Sequence, residues 1–122
     1  PFYAGRFKLV ADFKTKSKES VELEFSDIGG ACLDVYVNGK SAEVLYWAPW
    51  KTDISKLVKK GKNKLEVILP TDLLNLMGPN QEPIGLPPRV GPPTYRAANT
   101  WAPKLLLQRI GIGATRVKAS KL

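Results

Sequence analysis

The sequence predicts an all-β fold, an antiparallel β-sandwich with one or two short helical turns. Apolar residues recur at every second position through most of the first half. An Asn-Gly pair joins two such runs directly, as a tight hairpin requires. Turn-forming residues separate runs that are each only a few residues long, the spacing of sandwich strands.

In order along the chain, "RFKLVADFK" places Phe7, Leu9, Ala11 and Phe13 on one side and Lys8, Val10, Asp12 and Lys14 on the other. "VELEF" alternates Val21, Leu23 and Phe25 with Glu22 and Glu24. "LDVYV" alternates Leu33, Val35 and Val37 with Asp34 and Tyr36. Strands with one dry and one wet face pair antiparallel. After the Asn38-Gly39 turn, "AEVLY" is the next expected strand. Thr52 or Asp53 can cap a short helical turn whose apolar side is Ile54, Leu57 and Val58, with Gly61 to end it. "KLEVIL" follows as a strand, then "TDLLNLMG" as a second turn or helix. Residues 79–103 hold most of the ten prolines and read as a long Pro-rich loop. Strands resume in "KLLLQRI" and "ATRVKA".

A chain of 122 residues suits one domain, 1–122, with a core of its own. It starts without Met and reads as a piece excised from a longer protein. No apolar run approaches the roughly 20 residues that span a bilayer, so no membrane partner is expected. No signal peptide is legible, and localisation is left open. Cys32 is the single cysteine, which excludes an internal disulfide and reads as a structural thiol.

The chain contains no histidine, so it offers no Ser-His-Asp or Cys-His arrangement and no His-bearing metal motif. Two carboxylates facing one bond could still make a glycosidase. Most of the eleven acids, however, fall on wet strand faces or in turns. The net charge of +8 permits an anionic partner. Yet the excess is mostly lysine, spread along the chain and densest in "KTDISKLVKKGKN", with no aromatics interleaved. A solvated turn is the simpler reading, and nucleic acid is disfavoured.

"YWAPWK" sets Tyr46, Trp47 and Trp50 around Pro49. The proline forces the chain out of its sheet, where large rings either close the end of the core or lie flat as a platform for sugar. Of the two tryptophans, Trp50 is the expected core member and Trp47 the expected surface residue. With Trp101, these rings are the candidate carbohydrate-contacting residues.

The order of motifs resembles the galactose-binding-like jelly-roll domain attached to family 2-like and rhamnosidase-like glycoside hydrolases. The matching elements are the "YAGRF" lead at Tyr3 to Phe7, the Asp27-Ile28-Gly29 turn, the "VYVNG" hairpin at Val35 to Gly39, the aromatic-Pro-aromatic segment at Trp47 to Trp50, the Asp53-Ile54 turn, and "GKNKLEV" at Gly61 to Val67. The resemblance implies a domain without chemistry of its own. Its Asn-Gly and Gly-x-Asn turns would be structural, and its Asp-Ile turn would fix a crossover between sheets. A neighbouring catalytic domain in the parent chain is the implied partner, with carbohydrate contacted at loop ends in some members. Relatives also carry structural calcium, but no residues here can be assigned to it and no other cofactor is implied. The family's pattern has a further strand ahead of "YAGRF", which this chain does not show.

Overall fold

The computed structural model describes residues 5–16, 20–71 and 108–120, and the backbone alone at 81–83 and 101–105. These residues form nine strands and no helix: β1 Arg6–Thr15, β2 Ser20–Ser26, β3 Leu33–Val37, β4 Lys40–Leu45, β5 Lys51–Asp53, β6 Gly61–Pro70, β7 Gln81–Pro83, β8 Trp101–Leu105 and β9 Ala114–Ser120. The fold is therefore all-β. The chain divides into two compact units, one of Gly5–Asp72 with Arg109–Leu122, the other of Pro1–Ala4 with Leu73–Gln108.

The larger unit is built from two antiparallel sheets, ordered β1-β6-β3-β4 and β5-β2-β9. Alternation explains its core. Val21, Leu23 and Phe25 of β2, Leu33, Val35 and Val37 of β3, and Leu65, Val67 and Leu69 of β6 are all buried, while the residues between them face outward, and Asn63 shares the inward side of β6. Leu45 and Ile54 complete the same cluster, with Phe13, Trp50, Leu57 and Val58 packed at its margins. Nine aliphatic and aromatic side chains from three central strands, at about 1.5–3 kcal/mol each, supply most of the stabilisation available to a body this small.

The edge strands depart from expectation. Phe7, Leu9 and Ala11 are exposed, at 38% and 41% for the first two, although they share a face with Leu69, Val67 and Leu65 of β6. Only Phe13 of that set packs on the core. The cause is position: β1 ends its sheet, and the core cluster draws on β2, β3 and β6 but takes nothing from β9, whose every residue is exposed.

The Asn38-Gly39 turn forms as expected. Both residues have positive φ, 52° and 80°, and the flanking Val37 and Lys40 pair across a two-residue loop. The capped turn expected at 52–61 forms but is shorter. Thr52 lies in β5 and is buried, and Asp53 alone acts as the cap, its Oδ1 accepting from both Ser55 N and Ser55 Oγ. One turn follows, with Ile54 O accepting from Leu57 N at 2.8 Å and Val58 N at 3.2 Å. It stops there because Lys59 N donates to the Asn63 side chain at 2.8 Å and not to the preceding turn. The second expected turn, at 71–78, lies outside the described residues beyond Thr71.

In the smaller unit β7 and β8 pair antiparallel, Gln81 with Leu105 and Pro83 with Trp101. Both strands fall largely inside the segment expected to be a loop. Pro83 and Pro103 sit in them because a two-stranded ribbon consists only of edges, where a missing N–H can be tolerated. Of the strand expected at 104–110, Lys104 and Leu105 lie in β8, residues 108–110 lie in no strand, and 106–107 are outside the described residues.

Candidate functional site

The segment that leaves β4 crosses from one sheet of the larger unit to the other. Leu45, the last residue of β4, is buried opposite Leu33. Tyr46 and Trp47 then turn outward, at 60% and 76% exposure. The Ala48–Pro49 peptide is cis. The chain re-enters the fold at Trp50, whose ring is half-buried against the core and whose carbonyl accepts from Phe25 N at 2.8 Å. Lys51 N donates to Pro49 O at 2.9 Å, and β5 begins.

This placement divides the candidate rings. Trp50 belongs to the core margin. Tyr46 and Trp47 stand together in solvent, ring centroids 5.9 Å apart and planes inclined by 37°. They are anchored on both sides, by the buried Leu45 and by the half-buried Trp50, so the loop is held at its ends. Leaving a Trp and a Tyr exposed forgoes roughly 1.5–3 kcal/mol of burial for each ring. The flat apolar faces so presented match the C–H face of a pyranose, with the Tyr46 hydroxyl as an adjacent polar group. Trp101 lies in β8, where only its backbone is described, so its ring lies outside the described residues.

Four acids of the larger unit, Asp12, Glu22, Glu24 and Glu66, pair with lysines. On the outer face of β2, Glu24 lies between Lys118 at 2.5 Å and Lys51 at 3.5 Å. Lys118 foremost, with Lys51 adding to it, holds the Glu24 carboxyl below the usual carboxylate range. On the outer face of β6, Glu66 lies between Lys8 at 2.6 Å and Lys64 at 3.1 Å, which depress it in the same order. Asp53 is lowered by its bonds from Ser55. Asp34 accepts from the Tyr36 hydroxyl at 3.0 Å and so raises the phenol. Each displaced carboxylate is thus biased toward its ionised form, opposite to what a general acid in glycoside hydrolysis needs. Among the described residues no three His, Cys, Asp or Glu side chains are grouped to hold a metal.

A polar cluster that periodicity does not reveal lies at the opposite end of β4. Asn63 is 1% exposed on a core-facing position of β6. Its Oδ1 accepts from Asn38 Nδ2 and Lys59 N, and its Nδ2 donates to Thr15 Oγ1, Lys59 O and Gly61 O. The "GKN" spacing marks the residue, and only the fold shows what it ties together.

Compared with known proteins, the chain matches no family model and no curated protein. Solved structures do resemble it. A rhamnosidase from Novosphingobium sp. PP1Y is 28% identical over 61% of this chain, with a TM-score of 0.57. A β-D-glucuronidase from Dictyoglomus thermophilum is 24% identical over 57%, with a TM-score of 0.50, and one from Ruminococcus gnavus in complex with D-glucuronic acid has the same values. The matched part amounts to only 7% of the rhamnosidase chain and 13% of each glucuronidase chain. The chain is similar to a small part of these glycoside hydrolases, and for the glucuronidases the likeness is one of fold.

Proposed function

We propose that this chain is a non-catalytic accessory β-sandwich, of the galactose-binding-like jelly-roll type, in a glycoside hydrolase-like protein, and that Tyr46 and Trp47 contact carbohydrate. The exposed, tilted ring pair on an anchored loop carries the carbohydrate assignment. Supporting the accessory role are the likeness to a small part of a rhamnosidase and the lysine-paired carboxylates. A neighbouring catalytic domain of the parent chain is the partner this role requires.

The test is a tryptophan fluorescence titration of the purified chain with mono- and oligosaccharides. A saturable shift at millimolar sugar that vanishes in Trp47→Ala is the expected result. No shift in the parent sequence, or a shift unchanged in Trp47→Ala, would remove the carbohydrate assignment. Turnover of aryl glycosides by the same preparation would contradict the accessory role.

A further inference from the structure

At the far end of β4 from Tyr46 and Trp47, the fold gathers lysines that the sequence scatters. Lys14 and Lys62 are direct cross-strand partners on β1 and β6. Lys16 follows β1, and Lys59 and Lys60 precede Gly61, the partner of Thr15. Thr15 Oγ1 donates to Lys59 O at 2.7 Å, which fixes these two segments side by side. Lys40 opens β4 directly after the Asn38-Gly39 turn, and Asn38 Nδ2 donates to both Leu57 O and Asn63 Oδ1, drawing that turn against the same loop. Lys56 lies in the intervening turn. All seven side chains are exposed.

Among the described residues Lys62 forms an ion pair with Asp12 at 2.9 Å, and Lys56 acts at longer range on Asp53. The nearby Asp53 carboxylate is engaged by Ser55. Like charges placed directly opposite on a sheet are destabilising, yet Lys14 faces Lys62 here. From β1 to β4 the group spans three strand spacings, about 15 Å.

We propose that this lysine end is a binding surface for an anionic polysaccharide, one bearing carboxylate or sulfate groups along its length. Lysine supplies mobile point charges suited to a flexible chain of spaced anions, without the planar fork that reads phosphate or base edges bidentately. Residues 14–16, 38–40 and 55–62 include no aromatic ring on which bases could stack, which disfavours single-stranded nucleic acid. The choice of polysaccharide among polyanions rests on the glycoside hydrolase-related role. The surface itself rests on the lysines and is separate from the ring pair, about 20 Å away along β4.

Binding of the chain to a soluble polyuronate is measured at low salt and at about 0.2 M, where surface charge is strongly screened. The expected result is salt-sensitive binding that weakens roughly tenfold or more in Lys14→Gln/Lys40→Gln/Lys60→Gln. The control Arg6→Gln/Arg109→Gln/Arg116→Gln removes the same charge from elsewhere and should leave binding within about twofold of the parent. Equal weakening in both triple variants, binding that ignores salt, no binding, or loss of binding in Trp47→Ala would overturn the surface. Tighter binding to double-stranded DNA than to polyuronate would overturn the polysaccharide assignment. If neutral sugars leave the fluorescence unchanged while the lysine variant still loses polyuronate, the ring-pair reading falls and this one stands.

Discussion

Asn38 and Asn63 hydrogen-bond side chain to side chain, Nδ2 to Oδ1 at 2.8 Å, although 25 residues separate them. The bond joins a hairpin turn to the start of β6. The backbones are tied as well, Asn38 N donating to Lys64 O at 2.9 Å, and Lys64 N donates to the Asn38 side chain, to Oδ1 at 3.0 Å. With Thr15 and Lys59 added, one buried amide organises three connections at the lysine end of the sandwich.

Replacing Asn63 by Leu should therefore be costly despite adding apolar bulk. It takes a partner from the Asn38 amide, Lys59 N and the Lys59 and Gly61 carbonyls in one step, although the Asn38 amide keeps Leu57 O and the Lys59 carbonyl keeps Thr15 Oγ1. A loss of about 2–4 kcal/mol is expected in urea denaturation, from several hydrogen bonds removed at once. A double-mutant cycle with Asn38→Ala should show a coupling of about 1 kcal/mol or more. Additive effects would mean that the two asparagines act independently.

The tryptophans should separate cleanly by stability. Trp50→Ala removes a ring packed on the core and should cost about 3 kcal/mol or more. Trp47→Ala removes a ring that is 76% exposed and should change stability by no more than about 0.5 kcal/mol. Equal losses in chemical denaturation would show that Trp47 is buried in solution.

Acid should weaken the fold through Glu24 and Glu66. Both carboxyls are held below their usual value in the folded state. Their contribution is complete above the unfolded-state value, near pH 4.3, and is lost as the pH falls through the depressed folded value. Denaturation midpoints measured from pH 7 down to 2.5 should thus fall below about pH 4.5, less steeply in Glu66→Gln. An identical acid limb in that variant would mean that the Lys8 and Lys64 contacts do not persist in solution.

Three glycines should rank by what surrounds them. A Cβ on Gly29 would lie 2.0 Å from Arg109 O, against backbone and at the Gly29–Gly111 bridge, so Gly29→Ala should be the most damaging. A Cβ on Gly30 meets the Leu69 side chain at 2.6 Å and should cost about 1–3 kcal/mol through overpacking. Gly39 has open space but φ of +80°, so Gly39→Ala should cost only about 1 kcal/mol. Thermal or urea denaturation of the three variants checks the order.

The sequence by itself determined the strand character of β2, β3 and β6 and the side of each that is dry, because a period of two fixes which residues share a face. It determined the Asn38-Gly39 turn, since few residue pairs accept two consecutive positive φ values. Pro49 marked where the chain leaves its sheet, and with it the opposite fates of Trp47 and Trp50. Alternation reports which face of its own strand a residue occupies, but not what lies across from that face. Phe7 and Leu9 follow the same rule as Leu23 and Phe25, and only strand order puts them on the last strand of their sheet. Likewise Asn63 sits at an inward position that composition would call polar, and its burial depends on partners from Thr15, Asn38 and Lys59. The gathering of Lys14, Lys40 and Lys60 at one end was also decided by tertiary structure, because antiparallel register brings distant turns together that no local pattern connects.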